Sequence, residues 1–153
     1  MGAVNVQIKG ALAEKARQKL LTQIRMINDQ LGELLEAGAG ESKSSAGDKY
    51  ETQREMIKQS RDMLEVQLSR SQNMLKQLER ISSQAMDSVQ EGALMQLDIG
   101  CIWVSVPLGK LAHEGREYQL VSKDSPLFMA LKDLKAGEGR LFRGKYLLVE
   151  ELV

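Results

Sequence analysis

Two long proline-free stretches with apolar stripes at helical spacing limit what this chain can become. In residues 6 to 37, Leu20, Ile24, Ile27, Leu31 and Leu34 recur at steps of 4, 3, 4 and 3. That is a heptad seam. From Asp48 to about Ser83 a second stretch places Ile57, Leu64, Leu68, Ser71, Leu75 and Leu78 on one stripe. Between them, residues 38–47 read Gly-Ala-Gly-Glu-Ser-Lys-Ser-Ser-Ala-Gly, small and flexible residues that favour a turn. Two helices joined so briefly pack antiparallel along their seams. At about 1.5 Å per residue each arm is roughly 45 to 55 Å long, too long to be covered by the rest of the chain, so much of the hairpin is expected to project into solvent.

Arg61 and Ser71 interrupt the second stripe, and both are expected at solvent-edge or register-setting positions. Met56, Met63, Met74 and Ile81 form a row beside the seam, expected to pack against the partner helix or the C-terminal part. Adaptable methionines would also suit a protein interface.

After Gly92 the periodicity changes from helical to alternating. Ile102, Val104 and Val106 fall on one face of a strand and Cys101, Trp103 and Ser105 on the other. Turns are marked by Pro107 with Gly109, by Glu114-Gly115-Arg116 and by Arg143-Gly144-Lys145. One short helix lies among them: Ser125 caps it, Pro126 fits its first turn, Leu127, Leu131 and Leu134 line one face, and Gly137 ends it. The expected class is α+β: an N-terminal antiparallel coiled-coil hairpin over residues 1–86, with its tip near 38–51, then a small β-rich domain over residues 92–153 with a mostly antiparallel sheet.

The totals exclude several functions. Lys plus Arg and Asp plus Glu are 21 each, so no overall field drives the chain onto nucleic acid or an anionic membrane. One cysteine, Cys101, and one histidine, His113, build neither an internal disulfide nor a zinc site of the usual kind. No serine or cysteine has an obvious histidine partner, and Gly137-Glu138-Gly139 reads as a turn, not a phosphate loop. No apolar run approaches the roughly 20 residues that span a bilayer, and no cleavable signal pattern opens the chain. A cytoplasmic protein is expected.

What stands out is Gly47-Asp48-Lys49-Tyr50-Glu51, where the chain turns back. Residues three apart on a helix share a face, so Asp48 and Glu51 can present two carboxylates together. Hard oxygen pairs suit Mg²⁺, which keeps several waters and takes only one or two protein carboxylates. The same pattern is also a capping-box-like arrangement, with Asp48 as the cap and both anions favoured by the helix dipole. Charge along the first helix is graded: Lys9, Lys15, Arg17, Lys19 and Arg25 outnumber Glu14, whereas Asp29, Glu33, Glu36 and Glu41 dominate towards the turn. Such a run reads as a solvated face, and its polarity would orient an arm entering a charged channel.

The tip string resembles that of the Gre family of bacterial transcript-cleavage factors, in which Gly-Asp, two residues and Glu sit at the end of a coiled-coil hairpin. The C-terminal half is similar too, through Ser125-Pro126-Leu127, Ala130-Leu131, Lys135-Ala136-Gly137-Glu138 and Lys145-Tyr146-Leu147-Leu148-Val149. There are departures. Glu51 is followed by Thr52-Gln53-Arg54 in place of the family's Asn-Ala-Glu-Tyr run, the second Gly-Asp is Gly137-Glu138, and the chain is abbreviated around Val121 to Asp124. The resemblance implies an FKBP-like C-terminal domain and a hairpin that enters the secondary channel of RNA polymerase. It implies that Asp48 and Glu51 help hold Mg²⁺ in the polymerase's active centre, where backtracked RNA is cleaved near its nascent 3′ end. The chain would then be a monomeric accessory factor, not an enzyme by itself. Alternatives are a secondary-channel regulator without cleavage activity, a structural coiled-coil adaptor, and a peptidyl-prolyl isomerase. The last is disfavoured because Trp103, Tyr118, Phe128, Phe142 and Tyr146 are claimed by a small core.

Overall fold

Heptad stripes need a partner, and each of the two long stretches finds one in the other. The computed structural model describes residues 3–41 and 47–153, the side chains of 38–41, 47, 48 and 50 excepted. Helix α1 spans Val6–Glu41 and helix α2 spans Gly47–Arg80. The chain groups into two units, one of residues Lys19–Leu75 and one of Met1–Gln18 with Lys76–Val153.

In the first unit, Ile24, Ile27, Leu31 and Leu34 of α1 and Ile57, Leu64, Leu68, Ser71 and Leu75 of α2 are buried or half-buried, as the stripes require. Residues of both helices line one groove, with Gln23, Met26 and Ile27 facing Arg70, Ser71 and Met74. The five residues between the helices span at most about 20 Å. Such a short connection forces an antiparallel course. Ser71 is 5% exposed, so it sits in the seam and not at a solvent edge, whereas Arg61 is exposed. The methionine row departs from expectation: Met74 is half-buried, but Met56 and Met63 are 62% and 63% exposed. They stand about 100° around α2 from the seam, beyond the reach of a single neighbouring helix.

In the second unit, six strands form a sheet in the order β3-β4-β2-β1-β6-β5. The strands are β1 (Leu94–Leu97), β2 (Gly100–Ser105), β3 (Gly109–His113), β4 (Arg116–Ser122), β5 (Gly139–Phe142) and β6 (Lys145–Leu152). Every pairing is antiparallel except β2 with β4, which run parallel. Two hairpin turns have the geometry their residues dictate: Glu114-Gly115 and Arg143-Gly144 both take positive φ, 50° and 79° in the first and 50° and 80° in the second. Consecutive left-handed residues match the twist of the flanking strands.

Strand β2 lies at the centre and is buried on both faces from Cys101 to Ser105. Ile102 and Val104 join Met95, Leu97, Leu147 and Val149 in a core closed by Phe128, Leu131 and Leu134. Helix α3 (Pro126–Leu131) supplies Phe128 and Leu131. Ser125 starts it by accepting from the Phe128 amide at 3.1 Å. The helix ends at Leu131, well before Gly137, because the chain reverses at Asp133 with φ 71°. Removing the cap with Ser125→Ala is expected to lower stability by about 1 kcal/mol, with Ser125→Asn restoring it. Urea unfolding of the three proteins checks this.

The start of α1 belongs to this unit, and Lys9, Leu12 and Ala16 form its buried stripe. Three hydrogen bonds fix it: Val4 N–H donates to Glu151 Oε2 (3.0 Å), Lys9 Nζ to the Gln84 carbonyl (2.8 Å) and Lys15 Nζ to the Ala112 carbonyl (2.9 Å). Lys9 therefore leaves the solvated basic face expected of it, while Lys15, Arg17, Lys19 and Arg25 are exposed.

Burial disfavours the ammonium of Lys9 and lowers its pKa from 10.5 to about 8. Between those values the unfolded chain holds a proton that the folded chain has released. This group's contribution is thus flat below pH 8, and folding gains stability as pH rises from about 8 to about 10.5, by up to about 3 kcal/mol. Burial also pushes the Cys101 thiol up, which acts in the opposite sense above pH 9. The difference between wild type and Lys9→Met isolates the lysine. Lys9→Met is expected to be the more stable at pH 7, with the advantage shrinking by pH 10.5. A constant offset across that range would refute this.

Candidate functional site

Helix α2 begins at Gly47, so Asp48 and Glu51 both lie within it, three residues apart on one face. Asp48 therefore lies within the helix as described, and the residues just before Gly47 lie outside the described residues. The side chain of Asp48 also lies outside them. Glu51 is exposed. Among the described residues it makes no ion pair.

Among the described residues of the first turns of α2, Glu51, Arg54, Glu55 and Met56 are exposed, whereas Gln53 and Ile57 are half-buried.

Glu55 is a third acid that sequence reasoning missed. It lies four residues beyond Glu51 and seven beyond Asp48, a spacing that returns to nearly the same side of a helix. Glu51 and Glu55 border one shallow hollow on α2 together with Thr52, Met56 and Gln59. The signal was in the sequence as an i, i+3, i+7 run of acids. Asp29, Glu33 and Glu36, towards the end of α1, are exposed as well.

Two or three carboxylates on one helical face are hard oxygen donors, which fit Mg²⁺ as a partial ligand set. Among the described residues no three His, Cys, Asp or Glu side chains converge on one point. Any ion here would draw its remaining ligands from water and a second molecule.

The other candidates read differently. His113 Nε2 lies 3.9 Å from Glu114 Oε1, and its Nδ1 is buried without a hydrogen-bond partner in the structure. Cys101 is buried. Of the aromatic residues assigned to the core, Trp103, Tyr118 and Phe128 are buried and Phe142 is half-buried, but Tyr146 is 58% exposed. Tyr146 faces outward beside Leu141, its cross-strand partner on β5. Its ring also crosses Gly139, where a side chain would collide with it. Among the described residues, no helix is long and apolar enough to cross a membrane.

No protein-family model and no curated protein matches the chain. Solved structures do. The transcription factor Gfh1 aligns over 90% of this chain and 92% of its own, at 15% identity and a TM-score of 0.37. GreA factor homolog 1 of Thermus thermophilus aligns over 90% and 94%, at 16% identity and a TM-score of 0.38. Gfh1 of Thermus aquaticus aligns over 90% and 94%, at 18% identity and a TM-score of 0.33. The chain is similar, over most of its length, to GreA-homologous transcription factors.

Proposed function

We propose that the chain is a Gre-like accessory factor of a bacterial RNA polymerase, working in the cytoplasm as a monomer. Its coiled-coil end would enter the secondary channel and present Asp48 and Glu51 at the polymerase active centre. The observation that carries this reading is the Gly47-Asp48-Lys49-Tyr50-Glu51 string, set at the start of α2 with Lys49 and Glu51 exposed. A site of this kind is useless alone. It becomes chemistry only when a second molecule supplies the other ligands and the substrate.

Such carboxylates suit Mg²⁺, and that ion, when bound, would lower the pKa of a coordinated water so that it could give up a proton and attack a phosphodiester as hydroxide. The protein's own part is positional. The helical backbone fixes the spacing of Asp48 and Glu51, and their charge is favoured by the N-terminal end of the helix dipole. Both acids are hydrogen-bond acceptors that orient an attacking water near a nascent RNA 3′ end. The fixed geometry lowers the entropic cost of bringing water and phosphate together.

Adding the purified chain to polymerase stalled on a backtracked template tests the proposal. The transcript is expected to shorten in its presence, in step with binding measured by co-sedimentation. Binding without shortening would instead favour a secondary-channel regulator, which the replacement after Glu51 by Thr52-Gln53-Arg54 makes the second reading. Absence of binding, with self-association by sedimentation, would leave a structural coiled-coil adaptor.

A further inference from the structure

The two free edges of the sheet differ. Its outermost strands are β3 and β5. Each belongs to a hairpin with a two-residue turn, closed by His113 opposite Arg116 in one and by Phe142 opposite Lys145 in the other. Hydrogen-bonded and open pairs alternate from such a turn, so Lys110 and Ala112 on β3, and Gly139 and Leu141 on β5, turn their N–H and C=O groups away from the sheet.

On β3 that edge is occupied. Lys15 Nζ, from α1, donates to the Ala112 carbonyl at 2.9 Å, and a lysine laid along an edge deters a further strand. On β5, among the described residues, no backbone hydrogen bond engages the outward groups of Gly139 or Leu141. An apolar pair stands beside them instead: Leu141 is 66% exposed and its cross-strand neighbour Tyr146 58%. The Tyr146 ring lies against Gly139, so the apolar strip runs along the open backbone groups.

Charge decides what this edge admits. Residues 139–149 hold Arg140, Arg143 and Lys145 and no acid. Arg140 Nη1 is tied to the Ala130 and Lys132 carbonyls at 3.0 and 3.4 Å. The Arg143 guanidinium lies over the Phe142 ring, and Lys145 is exposed. Nearby acids are offset or turned elsewhere. Asp133 and Glu138 are balanced by Lys132 and Lys135, and Glu138 accepts from the Lys135 amide at 2.7 Å. Asp98 accepts from the Leu148 amide, and Glu150 and Glu151 lie beyond the end of the β5 pairing.

We infer that the β5 edge takes up a short, acidic, extended segment of another protein as an added strand. Its backbone pairs with Gly139 and Leu141, an apolar side chain rests on Leu141 and Tyr146, and its carboxylates meet Arg143 and Lys145. A second copy of the chain fits poorly. Pairing β5 with β5 brings together two hairpins of three cations each with no acid between them, and pairing β5 with β3 meets the edge that Lys15 holds. The cations that keep this edge from pairing with itself attract an acidic strand. Left to solvent, β5 would lack the cover that β3 has and would wet its apolar pair as well. This inference does not rest on the polymerase reading.

The test uses the full-length chain and synthetic peptides of about eight residues, enough to span β5. All alternate Val and Thr. One carries Glu on both flanks, one carries Lys there, and a third repeats the Glu peptide with the amides that would face β5 methylated. By NMR titration the Glu peptide is expected to bind about 10-fold more tightly than the Lys peptide, the scale of one charge-assisted contact, and the methylated peptide at least about 10-fold more weakly. Binding of the Glu peptide should slow hydrogen exchange at the Leu141 amide and leave that of Ala112 unchanged. Leu141→Pro removes the outward N–H but no ladder bond, so it should weaken the Glu peptide by at least about 10-fold with circular dichroism unchanged, while Leu141→Val, which keeps the amide, stays within about threefold. Should the proline variant unfold, the methylated peptide and the Leu141 exchange in the wild type still decide. Equal binding of the methylated peptide, equal binding of the Glu and Lys peptides, no saturable binding, or unchanged exchange at Leu141 overturns the inference. So does a wild-type dimer in sedimentation that Leu141→Pro dissolves, which would assign the edge to a second copy.

Discussion

Trp103→Ala is expected to cost about 3 to 5 kcal/mol, enough to unfold much of the β-rich unit near physiological temperature. Trp103 sits on the central strand with 1% of its surface exposed. It has Leu94 opposite on β1 and Leu120 opposite on β4. Its indole N–H donates to the Gly92 carbonyl at 3.2 Å. Gly92 itself has φ 97°, and its amide bonds the Val104 carbonyl at 2.7 Å, so the ring secures the point where the chain enters the sheet. The alanine variant loses ring burial and leaves a cavity among strands paired on both sides, which cannot collapse to fill it. Trp103→Phe keeps most of the volume and forfeits the hydrogen bond, so its cost should be about 1 to 2 kcal/mol. Urea unfolding followed by far-ultraviolet circular dichroism measures both, since the chain's one tryptophan is removed. A loss below about 1 kcal/mol for Trp103→Ala would mean that the sheet does not depend on this residue.

Trp103 also marks the limit of what could be read from the sequence. Alternation along Cys101 to Val106 announces a strand, and the two faces were assignable. That the strand is central, parallel to β4 and buried on both sides depends on chain crossings that local pattern does not encode. The Leu20 to Leu34 stripe was legible because a helix of that length has only one way to hide it. Lys9 was not. A lysine on an apolar stripe looks like any surface lysine until a carbonyl, here that of Gln84, stands within reach of its ammonium. Met56 and Met63 misled for the converse reason. Their spacing suits a buried row, but among the described residues the neighbouring helix engages the seam 100° away.

The acids divide similarly. Spacing and resemblance single out Asp48 and Glu51, while Glu55 lies outside the five-residue string and shares their helix face only by its i+4 and i+7 spacing.

Replacing Asp48 and Glu51 together by Asn and Gln is expected to abolish any stimulated shortening of backtracked RNA, lowering its rate by roughly 100-fold or more, while leaving polymerase binding intact. The magnitude is that of deleting groups placed where charge develops in a transition state. Amide replacements preserve side-chain volume and helix position, so a loss of rate reports the missing oxygen charge and not a missing helix. Glu55→Gln discriminates between two geometries. If the working pair is Asp48 with Glu51, Glu55→Gln should change the rate by less than about threefold, the scale of a nearby charge screened by solvent. If it is Glu51 with Glu55, that variant should fall with Glu51→Gln while Asp48→Asn stays active. A double variant that shortens the transcript as fast as the wild type would remove the acids from the mechanism and leave the hairpin to act by occupancy alone.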